Sequence, residues 1–215
     1  MGFLAGIFAT VSTFVAKVVP ILQSGINLLL TKGPEIIKAV ASVIGDVLKV
    51  LGVLKPEDDM KDFGDKAMQA AGQGITPDKY DEYEEYVEAI RNFELDPDIS
   101  AKTSTEAKLA VAVGVGLSGL EKKLDMPEGS SGDLLRLVIL SPDYFNSDRL
   151  QSLLDKKVDF EKVTDYFSGK LDLADSRQVR SELFSAEKSL DGTADEAKHT
   201  QALSNLKEQA REQGV

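Results

Sequence analysis

The sequence predicts a mainly α protein, a helical bundle with a hydrophobic amino-terminal helical hairpin and little or no sheet. Apolar residues recur at three- and four-residue spacing along most of the chain, which is typical of amphipathic helices. Helix-start signals precede several of these stripes. The one glycine motif that would suit an α/β fold is not followed by further alternation of strands and helices. We therefore expect roughly nine helices.

Charge is divided unevenly along the chain. Residues 1–54 carry a net charge of +2 and the remainder carries −13, which gives the overall −11. With the helix signals, this division predicts three regions: a hydrophobic hairpin at residues 1–55, a linker with a short helix at 56–75, and an acidic helical body at 76–215. The acidic balance argues against nucleic acid as a partner, because phosphate contacts need clustered Lys and Arg.

The first helix of the hairpin has an apolar stripe opposite a side of small, weakly polar residues that includes Gly6. Pro20 is expected to kink or end this helix. The small side favours close approach of another backbone, as in membrane helices or tightly packed helix pairs. The residues predicted to insert into a membrane or to dock from this helix are Phe3, Leu4, Ile7, Phe8, Val11, Phe14 and Val15.

The second helix of the hairpin follows Gly33-Pro34-Glu35, a turn that places Pro at the first helical position. Its predicted inserting or docking residues are Ile37, Val40, Ile44, Val47 and Leu51. A spanning helix needs about 20 mostly apolar residues, and Lys17 ends the longest uncharged run of the region, residues 1–16. The hairpin therefore suits either conditional insertion into a bilayer or burial in the core of a soluble bundle.

The stretch 109–120 has two alternative interpretations. Gly114, Gly116 and Gly119 match the G-x-G-x-x-G pattern of dinucleotide-binding sites. Because no parallel sheet can be traced around it, we interpret the stretch as a glycine-rich helix. The three glycines, together with Gly6, are then predicted to pack against neighbouring helices, and the amino-terminal hairpin is the neighbour that we expect for this helix.

The rest of the acidic body is also predicted to be helical. A helix from Pro77 to about Phe93 carries tyrosines on one side and acids on the other, which we interpret as a solvated face over a core. Several short helices follow from residue 133 onward. The last helix, from about Thr193 to Gln213, is polar and has few apolar anchors.

No motif identifies a reaction. The chain has no cysteine, which excludes disulfides, thiolate nucleophiles and Cys-based zinc sites. Asp96 begins a D-x-D-x-S pattern like that of a calcium loop, but Ala101 and Ala107 stand where that loop needs Gly and Glu. His199 is the only histidine, and we expect it to be exposed on a polar helix. We therefore predict no enzyme activity, no catalytic residue, no metal and no cofactor.

Glycine- and alanine-rich apolar segments at residues 2–10 and 110–116 carry a resemblance in composition. The chain resembles the small pore-forming antibacterial effectors that bacterial type VI secretion systems export, which also lack an ordinary signal peptide. The resemblance covers chiefly residues 1–54 and 107–124 and includes no diagnostic motif. It implies ion leakage across the inner membrane of a target cell, a cognate immunity protein and a partner in the secretion apparatus.

We expect a membrane-active, non-enzymatic protein whose amino-terminal hairpin leaves a soluble fold, inserts, and forms a pore or permeabilises the bilayer. Such a toxin or effector is expected to form homo-oligomers, to be made in the cytoplasm without a cleaved signal peptide, and to act at a membrane after export. The alternative is a structural or interaction module that docks its amino-terminal helices into a secretion or phage-tail-like assembly. A nucleotide-dependent enzyme is the third interpretation and requires a parallel sheet.

Overall fold

The computed structural model describes residues 11–213, which fold into twelve α-helices and contain no β-strand. The mainly α fold class predicted from the sequence is confirmed. Contacts divide the chain into two compact units, Met1–Gly132 and Asp133–Val215. This division differs from the predicted region boundaries at residues 55 and 75, because helices on both sides of those positions pack on one central helix of the first unit.

The first unit contains seven helices within the described residues. They are α1 (11–18), α2 (Gln23–Thr31), α3 (Pro34–Val50), α4 (Met60–Gly72), α5 (Tyr83–Arg91), α6 (Pro97–Lys102) and α7 (Thr105–Lys123). Short 3-10 turns at Pro20–Leu22 and Pro77–Lys79 precede α2 and α5. Pro20 thus follows the end of the first helix, because proline has no N–H with which to continue the helical hydrogen bonds.

Five helices follow along the described part of the chain, and the last two of them have 18 residues each. They are α8 (Ser130–Leu140), which crosses the boundary between the units, α9 (Ser147–Asp155), α10 (Phe160–Ser168), α11 (Leu173–Leu190) and α12 (Glu196–Gln213). α10 ends at Gly169, whose φ of 72° lies in the left-handed region that glycine adopts without steric cost.

Side-chain caps fix the starts of many of these helices. Each capping side chain accepts a hydrogen bond from a backbone N–H that has no partner within the first helical turn. The caps are Asp59 for α4, Asp96 for α6, Ser104 for α7, Asn146 for α9, Asp159 for α10 and Asp172 for α11. The D-x-D-x-S pattern at Asp96 therefore serves as a helix start.

Two stretches differ in detail from the sequence prediction. The segment 56–75, interpreted as a linker with a short helix, contains the 13-residue α4, in which Phe63, Ala67 and Ala70 are buried. The helix predicted from Pro77 to Phe93 is divided into a 3-10 turn and α5, because Tyr80 is extended and its ring packs against Tyr86 with a centroid distance of 5.8 Å.

The core of the first unit surrounds α7, which contacts α2, α3, α4 and α5. The core of the second unit contains an aromatic cluster among aliphatic residues. Phe145 and Phe167 meet edge to face with ring centroids 5.8 Å apart, and Tyr166 packs on Phe167 at 5.1 Å. Contacts between α9 and α11 and between α10 and α12 enclose this cluster. Each unit therefore has its own apolar core.

Candidate functional site

The candidate site is the uncharged stretch of α7, residues 109–120, together with the amino-terminal helices that cover it. Every residue of this stretch is buried except Ser118, which is half-buried. An ordinary surface helix has one apolar side, whereas a helix that is apolar all round must be enclosed by protein or lipid. Here α3 and α4 supply most of the enclosure, and α2 and α5 supply smaller parts of it.

Two glycines of α7 lie directly under the amino-terminal helices. A Cβ atom at Gly114 would lie 3.3 Å from Val19 Cγ2 and 3.6 Å from Ile26 Cδ1, so the first part of the hairpin covers this position. A Cβ atom at Gly116 would lie 2.2 Å from Leu48 Cδ1 on α3. A Cβ atom there would require the fully buried Leu48 side chain to move, so glycine lets α3 pack closely on α7 at this point. Sequence spacing predicted this neighbour for the glycine helix, and the structure places it there.

Gly119 on α7 and Gly64 on α4 mark two further close contacts between α7 and its neighbours. A Cβ atom at Gly119 would lie 2.8 Å from Tyr83 Cε1 and 3.0 Å from Val53 Cγ1. On α4, a Cβ atom at Gly64 would lie only 1.8 Å from the backbone oxygen of Lys108, so α4 and α7 cross with their backbones in contact. Sequence reasoning missed Gly64. Its position inside a helix was the available signal, since glycine there costs about 1 kcal/mol relative to alanine unless packing requires it.

Where the structure describes them, the predicted inserting or docking residues lie inside the first unit. Leu51 is half-buried at the end of α3. Buried apolar side chains are found at Val11, Phe14, Val15, Ile37, Val40, Ile44 and Val47. Phe3, Leu4, Gly6, Ile7 and Phe8 lie outside the described residues. The apolar stripes of both hairpin helices, where described, therefore face protein.

A buried ion pair joins α4 and α7 beside this apolar core. Lys108 Nζ lies 2.6 Å from Asp65 Oδ2, and the two side chains are 8% and 2% exposed. Gln69 Nε2 donates to Asp65 Oδ1 at 3.1 Å, the Ser100 hydroxyl donates to Asp65 Oδ2, and Lys108 also donates to the Ser100 carbonyl at 2.9 Å. Burial alone raises the pKa of Asp65, but the hydrogen bonds from Lys108, Ser100 and Gln69 outweigh it and hold that pKa below its ordinary value.

A second polar contact closes the edge of α5 over α7. The Tyr83 hydroxyl donates to the Val115 carbonyl at 2.7 Å, and burial raises the pKa of this phenol above its ordinary value. A surface cavity of about 200 Å³ lies beside it, with Arg91 and Lys123 in its lining. Arg91 is occupied, because its guanidinium forms an ion pair with Asp58 at 2.9 Å. The cavity therefore belongs to the packing of α5 and offers no free guanidinium.

The second unit contains a polar cavity of about 420 Å³ lined by Tyr144, Arg149, Glu187 and His199. Our expectation that His199 is exposed was wrong, because the residue is only 7% exposed. Its Nε2 lies 3.4 Å from the Tyr144 hydroxyl, and its ring packs against Phe184. Arg149 lies over the Tyr144 ring at 3.9 Å and forms an ion pair with Glu187. The row that His199 forms with Leu203 and Leu206 on α12 was the available signal for this burial, and the polar residues beside it outweighed that row in the prediction.

The glycine contacts, the buried ion pair and the histidine contacts described above hold helices together, and none of them forms a recognisable reactive or metal-binding cluster. Among residues 11–213, no group of three or more His, Asp or Glu side chains is arranged to hold a metal ion. Within the same range, no helix has the length and apolar character of a membrane-spanning helix.

Comparison of the chain with models of protein families, with curated proteins and with solved structures gave no match.

Proposed function

We propose that this is a non-enzymatic, membrane-active protein whose amino-terminal helices leave the first unit and insert into a bilayer, forming a pore or permeabilising it. Its resting form holds these helices against α7, with their apolar stripes covered. In keeping with the resemblance in composition to type VI secretion effectors, we place its action at a target-cell membrane after export. A cognate immunity protein, a secretion-apparatus partner and homo-oligomers belong to the same proposal.

One observation carries the proposal: part of the uncharged stretch 109–120 of α7 is covered by the apolar sides of α2 and α3, while α4 and α5 cover the rest. When α2 and α3 move away, both surfaces are left without cover, and water disfavours them by about 25 cal/mol for each Å² of apolar area. A bilayer offers such surfaces an apolar environment. Gly114 and Gly116 would then present a small-residue face that suits packing between helices in lipid.

A docking module explains the same burial less directly. A module that binds by laying an apolar helix into a partner's groove presents that stripe on its surface. In this chain the stripe is turned inward at Val40, Ile44 and Val47, which are at most 1% exposed. Docking would therefore need the same opening of the first unit, and a partner whose groove replaces α7.

The test is release of a trapped dye or of potassium from vesicles by the full chain, with and without a lock on the amino-terminal helices. Deleting residues 1–54 is a poor control, because it removes α1–α3 and uncovers the core around α7. A disulfide between Val19→Cys and Gly114→Cys is better. A sulfur in place of Val19 Cγ2 lies 3.3 Å from the Cβ position of residue 114, within reach of a second sulfur.

The absence of native cysteine makes the reduced form of the same protein the matched control. We expect the reduced double variant and both single variants to release dye like the unmodified chain, and the oxidised form to be silent until reductant is added. Equal release by the oxidised and reduced forms would show that the helices need not leave α7. Silence of the unmodified, folded chain across pH and lipid charge would overturn the proposal in favour of docking.

A further inference from the structure

Four cations of the last two helices lack acidic partners in the described part of the chain, as do Lys188 and Lys198 elsewhere on the same helices. Arg177 and Arg180 on α11 and Lys207 and Arg211 on α12 form no ion pair or hydrogen bond with any residue in 11–213. Elsewhere in the second unit, Arg149 and several other cations are paired with carboxylates. The chain has 36 acidic residues and a net charge of −11. Neighbouring cations without acidic partners are therefore unexpected in this protein.

The α11 cations lie on one face of the helix with an exposed leucine. Leu173, Arg177, Arg180 and Phe184 follow at spacings of four, three and four residues, which places them in one row. Leu173 is 78% exposed, more than any other large apolar side chain in the described part of the chain. The exposed Leu173 side chain and the guanidinium groups of Arg177 and Arg180 therefore lie together on the protein surface.

The α12 cations approach this row from the neighbouring helix. Lys207 Nζ lies 3.5 Å from the centre of the Tyr166 ring, and Arg211 follows one turn later on α12. Burial, and then repulsion from Arg180 and Arg211, hold the pKa of Lys207 below its ordinary value. Arg180 also acts on Tyr166, where it opposes the rise in pKa that burial causes. Arg180, Lys207 and Arg211 are therefore close enough for their charges to interact.

A groove of about 180 Å³ opens between the two helices beside Arg177 and Arg180. The hydroxyls of Ser181 and Thr200 also line it, and Glu196 is the one acid of its lining. Guanidinium and hydroxyl groups are the donors that bind phosphate oxygens in proteins. We define the cationic face as Leu173, Arg177, Arg180, Lys207 and Arg211.

We propose that the cationic face binds the phosphate headgroups of an anionic lipid bilayer, with Leu173 entering the boundary between headgroups and acyl chains. The choice of a lipid surface rests on the proposed function and on Leu173, because a free phosphate ion gains nothing from an exposed leucine, whereas interfacial binding combines apolar and cationic side chains. The face gives a chain of net negative charge one surface that an anionic membrane attracts.

The first experiment measures binding of the full chain to vesicles by sedimentation, comparing phosphatidylglycerol-containing vesicles with pure phosphatidylcholine. The test variant is R177Q/R180Q/K207Q/R211Q. Its matched control is K61Q/K102Q/K122Q/K156Q, which removes the same charge from exposed lysines that form no ion pair within residues 11–213. Circular dichroism and urea denaturation verify that both variants are folded.

We expect the unmodified chain and the control to bind the anionic vesicles, and the test variant to bind roughly several hundredfold more weakly, since each of the four cations near an anionic surface contributes roughly fivefold. Leu173→Ser should also weaken binding, whereas Leu190→Ser, a 46% exposed leucine at the other end of α11, should not. An equal loss in the test and control variants would overturn the proposal, because net charge would then explain the binding.

Inorganic phosphate separates a lipid surface from a free ligand. If the test variant loses phosphate binding and Leu173→Ser changes nothing with vesicles, the face is a site for a soluble phosphate and the lipid proposal fails. Dye release, measured on the same samples, separates this proposal from the function of the amino-terminal helices. If the chain binds vesicles through the cationic face but releases no dye, the lipid-binding proposal is supported and pore formation is overturned. If the four substitutions change neither binding nor dye release, pore formation is supported and the lipid-binding proposal is overturned.

Discussion

α7 and α12 have nearly the same length, 19 and 18 residues, but they are held in the protein by opposite means. Fourteen residues of α7 are buried, including Lys108 and Glu121, whereas only four residues of α12 are buried. α7 has no side that faces water along residues 109–120. α12 is anchored along one row only, by His199, Leu203, Leu206 and Ala210.

The difference shows two ways of including polar groups in a small helical unit. At α7 the polar groups are buried and satisfied at the ends of an apolar stretch: Lys108 by Asp65 near its start, and Glu121 by the backbone N–H and hydroxyl of Ser131 near its end. At α12 the cations stay at the surface without acidic partners, and a single neutral histidine is buried. Substitutions at α7 should therefore act on stability, and those on the outer side of α12 on binding.

The largest effect is expected from Lys108→Met. The substitution leaves the Asp65 carboxylate buried without its cation, and breaking a buried pair in this way costs about 3–5 kcal/mol of the free energy of unfolding. Urea denaturation followed by circular dichroism measures the change. Lys122→Met is the control on the same helix, because Lys122 is exposed and surface changes usually stay within about 0.5 kcal/mol.

The double variant Asp65→Leu/Lys108→Met tests the explanation. Replacing both members of a buried pair by apolar residues is often neutral or stabilising, so most of the lost stability should return. If Lys108→Met alone costs less than about 1 kcal/mol, the pair does not hold α4 to α7, and the backbone contact at Gly64 must do so instead.

Much of α7 could be predicted from sequence. Its glycine spacing and its apolar neighbours were visible in the residues, because these features depend on local geometry. The contact of Gly64 with Lys108 was not visible, since it depends on where α4 crosses α7. The same holds for α4, whose sparse apolar residues Phe63, Ala67 and Ala70 suggested a linker but bury a continuous row.

A smaller effect is expected from Gly114→Leu. The new side chain would begin 3.3 Å from Val19 Cγ2 and would have to displace the amino-terminal segment, at a cost of about 1–3 kcal/mol from overpacking. Thermal or urea unfolding measures it. Gly72→Leu is the matched control, because nothing lies within 4 Å of a Cβ atom there.

Gly114→Leu also tests whether departure of the amino-terminal helices from α7 limits dye release. A protein whose amino-terminal helices are loosened from α7 should release dye at a lower protein concentration if their departure limits insertion. If Gly114→Leu leaves the stability unchanged, the glycine face is not packed in solution. The contact that we assign between the hairpin and α7 would then be wrong.

The second unit was less predictable than the first, and His199 is the clearest case. Its spacing of four and seven residues from Leu203 and Leu206 places it on the apolar row of α12, but that row does not show which side chains would cover the ring. Its position is decided by Tyr144 and Phe184, which come from distant parts of the unit and enclose the ring. The cationic face was missed for the same reason, because its four cations lie on two helices and are close only after folding.

The smallest effect is the pH dependence that His199 gives to the second unit. Burial, and then repulsion from Arg149, hold the pKa of His199 below its ordinary value, whereas Glu196 acts in the opposite direction. A histidine with a lowered folded-state pKa contributes stability that is present above the unfolded pKa of about 6.5 and is lost as the pH falls towards the folded pKa. The slope that this one group contributes is at most about 1.4 kcal/mol per pH unit.

His199→Phe isolates that slope. Phenylalanine retains the edge-to-face contacts with Tyr144 and Phe184, since His199 already meets both rings at steep angles of 70° and 74°. We expect the free energy of unfolding of the unmodified chain to fall more steeply than that of the variant between about pH 6.5 and pH 5, with parallel curves above pH 7. Parallel curves over the whole range would mean that His199 is protonated equally in the folded and unfolded states. The ring would then have access to water that its packing between Tyr144 and Phe184 denies it.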